Sequence, residues 1–249
     1  MIAMQRSTRS EGWSKVKPPK GTPCTPLWSV TDGRKVRVDV FFKDVLQFYV
    51  PTPALILDPT AGSRLMYKRL EKKRIKGYKF VFGDIEEVTP APHIRLDARQ
   101  LPFGDSVFDA IVFDPPYIED SKDNHDPRKN TYGYEEWTRE ELYELICDCR
   151  YEFHRVLKPG GKLIVKIQDQ YKKGEGLIEH SDNAVALFRM VGWQLYDKVL
   201  YRVFRPIHAL QRSRYKYRRH SFIVHTYYLV FRKLTDEDRR CTSCGCDES

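Results

Sequence analysis

The tetrapeptide Asp114-Pro115-Pro116-Tyr117 is the stretch of this sequence best suited to chemistry. It follows the apolar run 108–113, which predicts a buried strand with Asp114 at its carboxyl end. Two consecutive prolines fix φ and remove two backbone donors, so the segment is stiff. Asp114 and the Pro115 carbonyl could accept both hydrogens of an exocyclic amine, while Tyr117 stacks on the ring that carries it. Taken alone, the same residues also fit a strand followed by an ordinary proline turn.

A loop of small residues farther upstream predicts a binding site for a cofactor. The apolar run 54–57 indicates a strand that ends in an acid, and the acid and its loop are Asp58, Pro59, Thr60, Ala61 and Gly62. Small side chains let a ligand approach the backbone, and the helix predicted at 65–71 adds a positive dipole at its N-terminus. The loop lacks the G-x-G-x-x-G of dinucleotide sites and the Gly-Lys-Ser/Thr of a P-loop.

Four successive predicted strands each end in an aspartate, namely Asp58, Asp84, Asp97 and Asp114. Such an aspartate, taken singly, commonly caps a turn or a helix. Four of them at the spacing of βα units indicate a shared site, because ligands of open α/β sheets bind at the carboxyl ends of strands. Asp84 follows the first loop at roughly the ~20-residue interval expected of a carboxylate that binds ribose hydroxyls.

The rest of the chain alternates helical and extended patterns. An amphipathic helix is predicted within 36–50, with Phe41, Val45 and Phe48 on one face. A short third strand is predicted at 92–97. The later elements are a helix at 138–157, a turn at 158–161, a strand at 162–167, a helix at 183–191, and strands at 194–203 and 222–231.

Composition limits the classes of protein to which this chain can belong. A length of 249 residues fits one large α/β domain, alone or with appendages. The net charge of +9 favours a polyanionic partner, most often nucleic acid, although a basic but inert surface is the alternative. No apolar run approaches the ~20 residues of a membrane helix, and the first residues show no signal-peptide pattern, so a cytoplasmic protein with no membrane partner is expected.

Together these motifs resemble the class I S-adenosylmethionine-dependent methyltransferases, in the branch that methylates exocyclic amines of nucleic acid. The loop from Asp58 resembles the first, cofactor-binding motif of that family, and residues 97–103 resemble the motif after its third strand. Residues 114–117 resemble its catalytic motif. The resemblance covers about residues 36–233. It implies the Rossmann-like methyltransferase fold, which is an α/β, doubly wound, mainly parallel seven-stranded sheet.

The resemblance also implies a role for each motif, with S-adenosylmethionine as the cofactor. Asp84 would accept the ribose hydroxyls, Asp97 would accept the adenine amine, and the loop after Asp58 would border the methionine part. The full set implied to border the cofactor is Asp58, Pro59, Thr60, Ala61, Gly62, Asp84, Ile85, Asp97, Ala98 and Asp114. The catalytic set is Asp114, Pro115, Pro116 and Tyr117, which would hold a base flipped out of its stack.

DNA is the favoured polymer, because the order of the motifs and the polar loop at 118–140 resemble DNA amino-methyltransferases. The target amine would be adenine N6 or cytosine N4. RNA is the nearest alternative, with adenine N6 or guanine N2 as its target. A non-catalytic nucleic-acid-binding protein with this fold is the alternative from another class, and the intact tetrapeptide argues against it. Neither the base, nor the recognition sequence, nor the oligomeric state follows from these patterns.

Two polar segments are expected to meet the polymer. The loop at 118–140 is long for a βα connection, which indicates a substrate loop or a plain insertion. Between the last two strands, arginines that can neutralise phosphates alternate with tyrosines that can stack on bases. The predicted nucleic-acid contacts there are Arg205, Arg212, Arg214, Tyr215, Lys216, Tyr217, Arg218 and Arg219. A solvated hairpin loop is the alternative for this segment.

The sequence divides into three parts. Residues 1–35 form a basic and flexible N-terminal arm in this interpretation, residues 36–233 the methyltransferase domain, and residues 234–249 a cysteine-containing tail. The tail offers the thiolates of Cys241, Cys244 and Cys246, whereas a structural zinc ion takes four ligands. No metal site is therefore predicted, and whether the tail binds zinc is left open.

Overall fold

The computed structural model describes residues 30–31, 34–73, 76–87, 90–117, 138–172, 174–202 and 225–235. The elements, in chain order, are β1 (Val30–Thr31), β2 (Arg34–Lys35), α1 (Val38–Tyr49), β3 (Ala54–Asp58), a 3₁₀ turn (Leu65–Tyr67), α2 (Lys68–Lys73), β4 (Tyr78–Asp84), β5 (Ile94–Arg95), β6 (Phe108–Phe113), α3 (Arg139–Val156), β7 (Leu157–Ile167), β8 (Gln170–Lys172), β9 (Gly176–Ile178), α4 (His180–Arg189), β10 (Trp193–Arg202) and β11 (His225–Lys233). No helix within these ranges combines the length and apolar character that crossing a bilayer requires.

A seven-stranded sheet forms the centre of the molecule, in the order β10-β11-β7-β6-β3-β4-β5. Each neighbouring pair from β7 to β5 is parallel, whereas β11 runs antiparallel to both β7 and β10. The predicted fold class, a doubly wound and mainly parallel sheet of seven strands, is confirmed. Two further antiparallel pairs, β1 with β2 and β8 with β9, lie outside this sheet and were not predicted.

Apolar layers cover both faces of the sheet, which explains why its strands are almost continuous hydrophobic runs. On one face, Ile111 and Val165 pack with Phe153 of α3 and Phe188 of α4. On the other face, alternate residues of the same strands, such as Val112 and Ile164, pack with α1 and the 3₁₀ turn. The alternation means that the face on which each residue lies is fixed by its parity along the strand.

The helix predicted within 36–50 is α1, and its packing corrects one residue assignment. Phe41 and Val45 are buried as predicted, but Phe48 is 42% exposed, so its placement on the buried face is wrong. The stripe that faces the sheet follows i, i+4 steps, and its other members are Phe42, Leu46 and Tyr49. Phe48 lies beside this stripe and packs edge-on against the neighbouring tyrosine ring.

The helix predicted at 138–157 is α3, and its start is fixed by a reciprocal cap. The hydroxyl of Thr138 accepts from the backbone N–H of Glu141, whose carboxylate in turn accepts from the Thr138 N–H. The third strand, predicted at 92–97, is shorter than expected, because only the two residues of β5 pair with β4.

A topological switch point lies between β3 and β6. After β3 the chain passes outward through β4 and β5, and it then returns to place β6 on the opposite side of β3. Such a reversal opens a crevice at the carboxyl ends of the two strands, where open α/β sheets bind ligands. Asp58 ends β3 and Asp114 directly follows β6, so both aspartates border this crevice.

The predicted turn at 158–161 is instead the irregular first part of β7. Phe108 pairs with Leu157, yet Ala110 pairs with Lys162, so β7 takes up several extra residues between the two pairs. Gly160 adopts a φ of +77° in this stretch, where a glycine avoids the strain of the left-handed region. The shift sets the register of the rest of β7 against β6, and with it the neighbours of the segment 114–117 that follows β6.

Gly161→Ala should destabilise the protein by about 1–3 kcal/mol, because overpacking against fixed backbone is hard to relieve. A Cβ at Gly161 would lie 2.8 Å from both the Leu157 Cγ and the Lys158 carbonyl oxygen. Gly104→Ala is the matched control, since its nearest contact would be Val107 Cγ2 at 3.9 Å. Urea unfolding monitored by circular dichroism compares the two variants, and equal midpoints would contradict this account of the irregular strand.

Candidate functional site

The segment 114–117 and the loop at 58–62 are joined across the switch point by a hydrogen bond. The backbone N–H of Asp114 donates to the Thr60 hydroxyl at 3.0 Å. Thr60 is itself held by Asp58, whose Oδ1 accepts from the Thr60 N–H at 2.9 Å and from its hydroxyl at 3.3 Å. The structure therefore brings together two motifs that lie more than fifty residues apart, as predicted from the strand-end aspartates.

Asp58 lies beneath the loop and is fully buried. Its Oδ2 accepts from the Tyr67 hydroxyl at 2.6 Å, which ties the loop to the 3₁₀ turn that follows it. Burial raises the pKa of Asp58 from 3.8 to about 7, partly offset by the hydrogen bonds from Tyr67 and Thr60. Asp58 thus acts on the crevice through the residues that it positions, and its contact with a cofactor stays a prediction.

Asp84 closes the loop from the neighbouring strand. Its Oδ2 accepts from the Gly62 N–H at 2.9 Å and its Oδ1 accepts from the Glu86 N–H at 3.0 Å. Gly62 has a φ of +47°, a conformation that suits glycine. The next residue along the chain, Ile85, is 49% exposed. An acidic residue and an exposed apolar residue thus follow one another at the end of β4.

This corner fits the ribose and adenine of a nucleoside. A carboxylate oxygen can accept two hydrogen bonds, and each Asp84 oxygen accepts one from the backbone of the described residues. Capacity for two hydroxyl donors therefore remains. The exposed Ile85 side chain supplies an apolar surface of the kind on which a purine packs. The acceptors of Asp84 and the apolar surface of Ile85 are consistent with S-adenosylmethionine, whose nucleoside would occupy this corner.

Asp97 is paired more tightly than the sequence indicated. Its carboxylate accepts from the guanidinium of Arg99 at 2.6–3.1 Å and from the Arg99 backbone N–H at 2.9 Å. The side-chain hydrogen bonds from Arg99 are the main reason that the pKa of Asp97 is lowered. The carboxylate keeps 33% of its surface exposed, while Ala98 beside it is buried. An adenine amine would therefore have to share the Asp97 carboxylate with Arg99.

Lys166 is the principal site residue that sequence reasoning missed. It lies on β7, one residue beyond the pair of Phe113 with Val165, and its Nζ donates to Asp114 Oδ2 at 2.5 Å. Burial alone would lower the pKa of Lys166, but the nearby charge of Asp114 raises it well above 10.5. A lysine within the apolar run 163–167 is the signal that could have drawn attention to this position.

The other residues of the tetrapeptide, Pro115, Pro116 and Tyr117, are also held in place. Pro115 is buried and Pro116 is half-buried. The Tyr117 ring is partly buried against the apolar layer that contains α3 and α4. Its carbonyl oxygen accepts from the side-chain amide of Gln170, which ties the segment to the β8–β9 hairpin. The segment is thus anchored at both of its ends.

Several predicted residues lie outside the described ranges. They are the nucleic-acid contacts Arg205, Arg212, Arg214, Tyr215, Lys216, Tyr217, Arg218 and Arg219, most of the loop at 118–140, and the tail cysteines Cys241, Cys244 and Cys246. Within the described part of the chain, no group of three or more His, Cys, Asp or Glu side chains is placed to hold a metal ion.

The sequence matches no established family profile and no curated protein. In structure, the chain is similar to TrmN from Thermus thermophilus, with 17% identity over 79% of this chain and 49% of that chain and a TM-score of 0.48. It is also similar to the [4+2]-cyclase SpnF, with 16% identity over 78% of this chain and 81% of that chain and a TM-score of 0.49. A third similar structure is a candidate DNA modification methylase, also from Thermus thermophilus, complexed with S-adenosyl-L-methionine, with 18% identity over 58% of each chain and a TM-score of 0.40.

The matched part spans about half the length of the TrmN structure. Likenesses at these identities and TM-scores do not fix a reaction.

The buried Asp58 should make stability depend on pH. Its pKa is about 7 in the folded state against an ordinary 3.8, so the folded chain binds the extra proton between these values. The resulting stability is fully present below pH 3.8 and is lost as the pH rises through about 7. The free energy of unfolding should therefore fall over this window, by at most about 1.4 kcal/mol per pH unit.

Asp58→Asn carries no such proton, so this component of the slope should disappear in the variant. Urea unfolding at several pH values between about 4.5 and 6.5 measures the slope for both proteins. Asp105→Asn is the control, since its side chain is 77% exposed and should leave the slope as in the wild type. Identical slopes for the wild type and Asp58→Asn would show that Asp58 does not titrate in this window.

Proposed function

We propose that this chain binds S-adenosylmethionine and transfers its methyl group to an exocyclic amino nitrogen of a base in nucleic acid. The observation that carries the proposal is the joining of the two motifs at the switch point. The Asp-Pro-Pro-Tyr segment is bonded to the loop at 58–62 through Thr60. An amine held by Asp114 would therefore lie next to a cofactor bound by that loop. Proximity of this kind is the main requirement for a donor that is already activated.

The cofactor would lie across the carboxyl ends of β3, β4 and β5. In the proposed arrangement Asp84 accepts the ribose hydroxyls, Ile85 packs on the adenine, and Asp97 with Ala98 borders the adenine amine. The methionine part follows the backbone of Pro59, Thr60, Ala61 and Gly62, whose small side chains leave room for it. When bound, the cofactor would supply a methyl group carried on a positively charged sulfonium sulfur. Transfer would leave that sulfur as a neutral thioether, and the methylated nitrogen would release one of its hydrogens as a proton to water.

The obstacle to the reaction is the nucleophile, because the lone pair of the amine is delocalised into the ring. Asp114 and the Pro115 carbonyl accept the two amine hydrogens, which favours a pyramidal nitrogen and directs its lone pair towards the methyl group. The Asp114 carboxylate also stabilises the positive charge that develops on the nitrogen. Tyr117 stacks on the base, which must be unpaired or flipped out to enter the crevice.

DNA is the proposed polymer, with adenine N6 or cytosine N4 as the target. The net charge of +9 supports a polyanionic partner, and the order of motifs resembles that of DNA amino-methyltransferases. The same charge and the same tetrapeptide would also serve an RNA substrate, so RNA is included as a substrate in the experiment below. We also propose that the protein acts in the cytoplasm.

Incubation with cofactor labelled on its methyl group tests the proposal directly. Double-stranded DNA, single-stranded DNA and RNA are offered separately, and the labelled nucleoside is identified after digestion. Label on N6-methyladenine or N4-methylcytosine in DNA is the expected result. Label in RNA alone would replace DNA by RNA as the substrate. Binding of nucleic acid with no transfer to any polymer would favour the non-catalytic alternative.

Asp114→Ala should lower the single-turnover rate of methyl transfer by about 10²–10³-fold, since it removes an electrostatic partner that is fixed in place. Affinity for the cofactor should change little, because the cofactor loop is untouched. Rates measured on preformed complexes separate the chemical step from binding. Asp105→Ala, which removes an exposed acid outside the site, is the control for a general loss of activity. A wild-type rate in Asp114→Ala would exclude this role for the tetrapeptide.

Asp84→Ala should weaken S-adenosylmethionine binding by roughly 1.5–3 kcal/mol, the range for hydrogen bonds to a charged group. Isothermal titration calorimetry measures the affinity without any need for turnover. Glu87→Ala is the matched control, because it removes an acid three residues further along the chain, and the Glu87 side chain is 91% exposed. Equal affinities for the wild type and Asp84→Ala would place the ribose elsewhere.

A further inference from the structure

The ion pair between Lys166 and Asp114 has no place in the chemistry proposed above, which asks only for acceptors near the amine. We propose that Lys166 is a positioning residue for Asp114, which holds one carboxylate oxygen and thereby presents the other to the substrate amine. This inference rests on the proposed function, since it assigns a task to Asp114 within that reaction. It adds a residue on β7 to a site otherwise built from β3, β4, β5 and β6.

The geometry fixes the carboxylate at two points. The backbone N–H of Asp114 is bound by the Thr60 hydroxyl at 3.0 Å, which sets the position of the main chain. The Lys166 ammonium binds Oδ2 at 2.5 Å, which sets the rotation of the side chain. With Oδ2 occupied in this way, Oδ1 is the oxygen available to a ligand. The Asp114 side chain keeps 24% of its surface exposed, so a ligand in the crevice can reach it.

The apolar surroundings of Lys166 favour its pairing with the Asp114 carboxylate. Lys166 shares its face of the sheet with Ile164, within the apolar layer under α1. Tyr228 lies opposite Lys166 in the register of β11 and is fully buried, and its hydroxyl has no hydrogen-bond partner among the described residues. An ammonium in such surroundings is costly unless it is paired, so the carboxylate of Asp114 is the group that holds it.

The pair also solves a problem of like charges at the switch point. Asp58 and Asp114 end adjacent strands on one face, and the charge of Asp114 raises the pKa of Asp58. The Lys166 cation beside Asp114 offsets this repulsion. The titratable groups that influence Asp114 or Lys166 from the surrounding elements are Asp58, Tyr67, Tyr117 and Tyr228.

Lys166→Met tests the inference through the rate of single-turnover methyl transfer. Without its cation the Asp114 carboxylate is no longer fixed in rotation, so the rate should fall by roughly 10²-fold. Cofactor affinity should stay the same. Lys166→Arg keeps a cation that can hold the carboxylate and should recover most of the wild-type rate. Lys162→Met is the matched control, because it makes the same substitution on the same strand and the same face, four residues away.

A second measurement does not depend on activity. A double-mutant cycle compares the unfolding free energy of Lys166→Met in the wild type and in the Asp114→Asn background. Coupling between the two positions is expected, because an unpaired buried charge remains only in the single variants. Lys166→Gln takes the place of Lys166→Met if the latter does not fold.

The outcomes separate this inference from the proposed function. A wild-type rate in Lys166→Met, or a loss of rate that Lys166→Arg does not recover, would overturn the positioning role. Independent effects of the two substitutions in the cycle would overturn the pairing itself. If the wild type transfers methyl to no polymer, the proposed function fails, and the cycle alone then decides whether Lys166 fixes Asp114.

Discussion

The hydrogen bond from the Asp114 backbone to the Thr60 hydroxyl is the contact on which the rest of the site depends. It spans the crevice between β3 and β6, where the loops that follow two neighbouring strands run in opposite directions. The loops must diverge for a ligand to enter, and they must also stay in register for a donor to meet an acceptor. A single side-chain hydroxyl satisfies both requirements because it links the two segments at their roots.

The three strand-end aspartates of β3, β4 and β6 show how burial assigns different work to one residue type. Asp58 is fully enclosed and has its pKa raised to about 7, so its carboxyl serves as an internal brace for Thr60 and Tyr67. Asp84 binds two backbone N–H groups and still has lone pairs to offer. Asp114 is half-buried and balanced by a lysine. The same chemical group is thus a brace, a candidate acceptor for a ligand and a candidate catalytic acceptor.

Much of this architecture could be predicted from the sequence, because the end of each strand has a local sequence pattern. An apolar run followed by an acid located β3, β4 and β6, and the order of those runs indicated where their carboxyl ends would meet. The partners of each acid could not be read in the same way. Lys166 reaches Asp114 only because the irregular start of β7 shifts its register, and no local pattern predicts the size of that shift. Phe48 was misplaced for a related reason, since the width of the buried stripe on α1 is decided by the sheet beneath it.

The charges at the site are consistent with the proposed methyl transfer. The proposed donor is a cation, and the amine gains positive charge as it attacks, so the crevice has to tolerate positive charge. The charges of Asp114 and Lys166 offset each other, so ionisation of Asp58 would add one negative charge to the crevice. Because burial raises the pKa of Asp58 to about 7, this charge depends on pH near neutrality. The carboxyl group that braces the loop would therefore also set the background charge in which Asp114 meets the proposed substrate.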